Sequence, residues 1–198
     1  MPYGQFESVE HVASLFSVTV KDASVTGSRR IEIPEILLDS IAARLFDSLS
    51  FRNEVTVRNK VITPMLTIVA ENNAPLNVWI EEPFNVDREK GLVGEPDYLV
   101  APPTAHGGMA VPRLCIIEAR KQDWDQGWTQ ALAEMVAASL RGAQKCHSVV
   151  TTGKIWQFGT LEAGVFLKDP NQISATRELQ LVFDTLNWVF SEINTSGE

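Results

Sequence analysis

Between Gly94 and Gln130 the chain carries residue types able to hydrolyse a phosphate ester. Pro96-Asp97 lies in a β-rich stretch, and Glu118-Ala119-Arg120-Lys121 closes a short apolar run from Leu114 to Ala119. Side chains alternate along a strand, so Glu118 and Arg120 are expected on one face, roughly 6.6 Å apart at ~3.3 Å rise per residue, with Lys121 on the other. If Asp97 and Glu118 lie on adjacent strands, two carboxylates converge, and such a pair repels unless a cation or a shared proton compensates. Hard oxygen ligands favour Mg²⁺ or Mn²⁺. An ion so held can activate a water and offset charge developing on a phosphate. Arg120 or Lys121 is then a cation for that water or phosphate. Each piece also has a plainer reading: Pro-Asp as a turn, and Glu-x-Arg-Lys as a solvated, salt-bridged rim of small energetic value. What selects between them is the conjunction of two acids on successive strand-like segments about twenty residues apart, followed at once by an amphipathic helix bearing Gln130.

Elements on either side must hold these residues in place. Pro34 opens a helical pattern in which Leu38, Ile41, Leu45 and Leu49 recur at steps of three and four. A second helix is expected from about Asn53 to Ala70, kinked or split at Pro64 and ended by Asn72-Asn73-Ala74-Pro75. Leu76 to Val86 and Leu92 to Val100 read as strands. Pro83 marks an edge or bulge in the first, and Gly94 and Pro96 interrupt the second. Leu114 to Ala119 reads as a central strand covered on both faces. Asp123 is the expected N-cap of a helix with Trp124, Trp128, Ala131, Met135 and Ala138 on one face, stopped by Gly142. Strands at His147 to Thr152, Ile155 to Phe158 and Val165 to Leu167 follow, with a Gly153-Lys154 turn between the first two. A last helix carries Leu179, Val182, Phe183, Leu186, Phe190 and Ile193 as its core stripe. Such alternation implies an α/β fold, a central mixed sheet flanked by helices. Residues 1–33 are expected to be an N-terminal extension, with Ser14 to Val20 a loose strand packing on a core formed by 34–198.

Composition narrows the function classes. The 198 residues carry 17 Lys+Arg against 25 Asp+Glu, a formal net charge of -8. Hydrophobic content of 44% rules out a disordered chain. The acidic balance argues against a basic nucleic-acid coat or a polybasic membrane anchor. Cys115 and Cys146 are too few and too far apart for a disulfide scaffold or a zinc site. No apolar stretch approaches the ~20 residues that span a bilayer, and the N-terminus lacks a signal-peptide layout. A cytoplasmic protein without membrane association is expected. His11, His106 and His147 have no metal-ligand spacing. The tryptophans at helix spacing read as core rather than base-stacking platforms. The absence of a Walker A loop excludes a nucleotide-driven motor from this chain.

Five stretches in order, NEVTVRNKVITPML, GEPDYLV, LCIIEARK, WDQGWTQALAEM and VVTTGKIWQF, resemble the PD-(D/E)xK nuclease superfamily. They are most like the N-terminal nuclease region of type I restriction enzyme motor subunits and their stand-alone relatives. The resemblance spans about Asn53 to Phe158 and implies a restriction-endonuclease-like core that hydrolyses DNA with Mg²⁺ or Mn²⁺. It assigns Asp97, Glu118 and the Ala119 backbone carbonyl to the metal. Glu54 would reach the metal through water, and Gln130 would position the catalytic lysine or the DNA backbone. Arg58 and Arg120 would meet substrate phosphate. Glu54 has an equal reading as an i,i+4 partner of Arg58 on an exposed face, and Gln130 as a solvated helix position. The pattern departs from the family at one place: Arg120 stands where the family has lysine, and the lysine falls at Lys121. Arginine cannot act as a general base but can clamp a phosphate bidentately. Two functions therefore stay open, a metal-dependent nuclease and an inactive nuclease-fold module that works through protein or nucleic-acid contacts. A small-molecule enzyme on an unrelated α/β sheet ranks last. Any targeting would come from the Pro102 to Pro112 loop, a homodimer or a partner protein.

Overall fold

The computed structural model describes residues 3–118 and 123–195, with side chains for all of these except 115–118 and 195. A seven-stranded sheet runs through it in the order β1-β7-β6-β5-β4-β3-β2. Its strands are β1 (Thr19–Asp22), β2 (Asn77–Ile80), β3 (Tyr98–Ala101), β4 (Leu114–Glu118), β5 (Lys145–Thr151), β6 (Ile155–Glu162) and β7 (Val165–Ser174). The sheet is mixed. β4 with β5 and β1 with β7 are parallel, and the other neighbours are antiparallel. The parallel pair β4–β5 is joined by α5 (Trp124–Leu140), as a parallel connection requires a crossover.

Helices cover both faces. On one face α2 (Glu35–Phe46), the run from α3 (Glu54–Val57) to α4 (Thr63–Glu71), and α6 (Ala175–Thr195) share a core with Tyr98, Val100, Leu114, Val149, Trp156 and Phe158. On the other, α1 (Val9–Phe16) and α5 pack with Leu99, Cys146, Val150, Leu161 and Phe166. Neighbouring strand residues divide between the two cores, as the pleat demands. α5 is buried almost all round from Gly127 to Ala138. Its alanines let it lie close on the sheet, and Trp128 fills the space over Gly159, where a Cβ would come within 2.9 Å of the indole. Burying such a large side chain contributes about 2–3 kcal/mol. The Trp128 indole N–H donates to Gln157 Oε1 at 2.6 Å, and the Trp156 N–H to the Gly153 carbonyl at 3.1 Å. Both tryptophans are core residues, as their spacing predicts.

The first 33 residues differ from expectation. Val9–Phe16, overlapping the segment expected to be extended, is a helix, and only Thr19–Asp22 is strand. The determinants are Ser8, whose hydroxyl accepts from the His11 N–H as N-cap, and Val9, Val12, Ala13 and Phe16 at helical spacing. The connection from β1 to α2 is tied down by polar side chains of β7 and α6. Asp169 of β7 accepts from the Ser24 and Thr26 hydroxyls, the Val25, Thr26 and Asn171 backbone N–H groups and the Asn171 amide. Asn187 of α6 donates to the Arg29 and Arg30 carbonyls and accepts from Asn72 and Asn73. The strands expected over 76–86 and 92–100 are shortened to β2 and β3. Past Ile80 the chain turns at Glu81 in the left-handed region (φ 51), then meets Pro83. Before Tyr98, Gly94 (φ 148) and Pro96 prevent regular pairing.

Pro64 has the expected effect and one more. It sits in the first turn of α4, and the five residues before that helix, Arg58–Ile62, form a π turn. The Thr63 N–H bonds back to the Arg58 carbonyl five residues earlier. Proline has no N–H to offer the Lys60 carbonyl four residues before it. That carbonyl instead accepts from the Arg44 guanidinium of α2 at 3.0 Å.

Candidate active site

The sheet brings β3 and β4 side by side, antiparallel, with Tyr98 opposite Ile116. Asp97 stands at a bend just before Tyr98, where the regular pairing has ended, and Glu118 lies two residues beyond Ile116 at the end of β4. On the other side Glu118 pairs with Thr151 at the end of β5, where the Thr151 hydroxyl caps the Gly153-Lys154 turn by accepting from the Gly153 N–H. The start of β3, the ends of β4 and β5 and this turn therefore lie at one end of the sheet. The side chain of Glu118 is not described, and Ala119, Arg120 and Lys121 lie outside the described residues.

Above this end sits Arg58, carried by the π turn. Its Nη1 stands 2.9 Å from Glu81 Oε1, 3.7 Å from Asp97 Oδ1 and 4.0 Å from Glu54 Oε1. Its guanidinium carbon lies 5.6 Å over the Tyr98 ring, whose hydroxyl is 3.0 Å from that of Thr63. The i,i+4 pairing of Glu54 with Arg58 is present, but the face is not exposed. The Arg58 side chain is 11% exposed and that of Asp97 12%. Burial alone would lower the Arg58 pKa. The charge of Asp97 and the bonds to Tyr98 and Glu81 outweigh it, so the guanidinium is held more firmly charged than usual. A charge pair this deep is costly to break, because removing one member leaves the other uncompensated.

Gln130 lies on α5, in the helix layer of the opposite face. Its amide donates at 3.0 Å to Glu134 Oε1, and Glu134 is fully buried. Glu134, which bonds Gln130, and Glu81, which pairs with Arg58, are residues that sequence reasoning did not single out. The first was legible as the lone acid in ALAEMVAASL, the second as one of two acids just before Pro83.

The donors fit a hard divalent ion in kind. Carboxylate oxygens from three separate segments already converge on one positive nitrogen, which stands in for a cation. They are spread around Arg58 too widely to bind an ion as they stand, and among the described residues no three His, Cys, Asp or Glu side chains form a metal-binding group. His147 plays no part here. It is 3% exposed, edge-on to Trp188 at 6.0 Å, and burial, with Lys145 nearby, lowers its pKa to about 3, so it is neutral at pH 7.

The fold is a mixed α/β sheet flanked by helices, as the alternation of elements predicted. No family model and no curated protein matches the chain. Among solved structures, a DrdV–DNA complex determined by cryo-electron microscopy overlays with a TM-score of 0.47 at 12% identity, over 78% of this chain and 14% of that one. The chain thus spans about a seventh of the length of that protein. No helix among the described residues is long and apolar enough to cross a membrane.

Proposed function

We propose that this chain is a metal-dependent nuclease that hydrolyses DNA phosphodiester bonds at the sheet end bearing Asp97 and Glu118. The observation that supports the reading is the β3–β4 pairing, with Tyr98 opposite Ile116, so that Asp97, just before β3, and Glu118, the last residue of β4, fall at the same end of neighbouring strands. Asp97, Glu118 and the Ala119 carbonyl would hold Mg²⁺ or Mn²⁺, which when bound activates a water and offsets charge on the phosphate. Glu54, one helical turn before Arg58, would orient water. Arg58 and Arg120 would grip substrate phosphate oxygens, a task that planar guanidinium groups perform without losing a proton. Gln130, braced by Glu134, would orient Lys121 or the DNA backbone. Plasmid cleavage with Mg²⁺ or Mn²⁺ tests the reading. Asp97→Ala and Glu118→Ala are each expected to abolish it, and cleavage that survives both changes overturns the assignment.

A second reading, an inactive nuclease-fold module, is favoured by one observation: Arg58 already neutralises Asp97. The net charge of -8 supports it, since a chain that binds DNA unaided usually brings positive charge. Failure of Asp97→Asn to alter calorimetric Mn²⁺ binding, together with no cleavage by the wild type, would select this reading.

A further inference from the structure

We infer that DNA lies against one face of this acidic chain, the surface formed by the end of α2, the turn Ser48–Phe51, the π turn and the Gly153-Lys154 turn. Arg52, Lys60 and Lys154 meet its phosphates there, and Phe46 and Leu49 its sugars and bases. The inference takes from the reading above only that DNA is the partner, and it answers how a chain of net charge -8 can hold a polyanion. Arg44, Arg52, Lys60 and Lys154 bring four positive charges to this face from four segments. The acids among them are Asp47, whose carboxylate is taken up by the Leu49 N–H and the Ser50 hydroxyl, and Glu54, which faces Arg58. Folding joins the four segments. The Arg44 guanidinium donates to the Lys60 carbonyl at 3.0 Å, and Lys60 Nζ stands 3.9 Å from Asp47. Gly153 fits so closely against Val57 and Phe51 that a Cβ there would come within 2.9 Å and 3.4 Å of them, and Lys154 Nζ lies 4.2 Å over the Phe51 ring.

Three large apolar side chains stand in water along the same stretch: Phe46 is 72% exposed, Leu49 63% and Val55 62%. Apolar side chains gathered inside a polar rim mark a surface that another molecule covers. Cations and apolar groups interleaved in this way suit DNA, which offers a line of phosphates and, between them, sugars and base faces on which an aromatic ring can stack. The face also leads to the proposed site of hydrolysis. Arg58, on the same π turn as Lys60, reaches Asp97 at 3.7 Å. The Gly153 N–H is bonded to Thr151, the strand partner of Glu118. A strand gripped here would run past that end of the sheet.

The test is fluorescence anisotropy of a fluorescein-labelled DNA duplex titrated with the full chain in EDTA, over a series of salt concentrations, each variant being checked for folding by circular dichroism. The triple variant Arg52→Gln, Lys60→Gln, Lys154→Gln is expected to bind at least tenfold more weakly than wild type. Its dependence of log affinity on log salt should be shallower by roughly 2–3, about 0.9 for each cation removed. A control triple variant, Arg113→Gln, Arg141→Gln, Lys145→Gln, makes the same change of net charge at the opposite end of the sheet, where β4 and β5 begin, and should stay within about threefold of wild type. Phe46→Ala should weaken binding about fivefold or more and leave the salt dependence unchanged. Equal losses from the two triple variants, no loss from the first or from Phe46→Ala, or no binding by wild type overturns the inference. Displacement of the duplex by polyglutamate at equal concentration of charge would assign the face to an acidic protein and overturns it too. Cleavage that needs Asp97 but is indifferent to the first triple variant overturns the inference alone. Binding through this face without any cleavage supports the inference while the nuclease reading falls.

Discussion

His147 lends the fold a pH dependence that can be worked out in advance. The ring lies inside β5, edge-on to Trp188 of α6, and burial with Lys145 nearby depresses its pKa to about 3. In the unfolded chain it titrates near 6.5. A depressed folded value means that the unfolded chain takes up the proton first. The stability due to the neutral ring is therefore full above about pH 6.5 and is lost as pH falls toward 3. Within that window the slope is about 1.4 kcal/mol per pH unit, which gives roughly 2 kcal/mol at pH 5. The size at pH 5 depends only on the unfolded value, because the folded value lies far below. The hydrogen-bonded carboxylates with lowered pKa values, Asp169 among them, act at lower pH and leave this window to histidine. Urea unfolding between about pH 7.5 and about pH 5, on wild type and His147→Leu, measures the effect. Leucine cannot take a proton, so the variant should lose about 2 kcal/mol less than wild type over the range. Parallel pH profiles for the two proteins would refute the reasoning.

Other perturbations have defined outcomes. Asp169→Ala removes the acceptor of six hydrogen bonds that fasten residues 24–26 and 171, and should cost about 3 kcal/mol or more in urea unfolding. Gly159→Ala places a methyl 2.9 Å from Trp128, 3.0 Å from Phe166 and 3.1 Å from the Leu167 carbonyl, and should lower stability by about 1–3 kcal/mol, with a change in tryptophan fluorescence. Arg44→Ala removes a bond to the Lys60 carbonyl at an exposed position where water can replace it, and should cost about 0.5 kcal/mol, and less in a Pro64→Ala background where an N–H is restored, a coupling that a double-mutant cycle reads directly.

The long periodic elements were legible in the chain. Pro34, Asp123, Gly142 and the stripe from Val182 to Ile193 bound or define helices by local chemistry, and each helix lies where these residues put it. Strand ends were not. β2 and β3 stop where a left-handed Glu81 and the Gly94–Pro96 stretch break the ladder, and β6 and β7 run on past their apolar runs because sheet neighbours supply pairing that no single strand records. The α1 helix was hidden because its apolar residues pack with those of α5, remote in sequence. At the candidate site, Asp97 and Glu118 announced themselves by neighbouring residues. The closeness of Glu81 to Arg58 depends on β2 pairing with β3, and the burial of Arg58 depends on the π turn ahead of Pro64. Neither follows from local pattern.

The two outer strands, β1 and β2, are each four residues long. β1 carries Lys21 and Asp22 on exposed positions, and β2 is cut short by the turn at Glu81 and by Pro83. A sheet margin this brief, charged on one side and bent away on the other, offers a passing chain too few consecutive backbone groups to zip onto. The same bend that brings Glu81 to Arg58 thus helps keep the protein from stacking into aggregates while it folds.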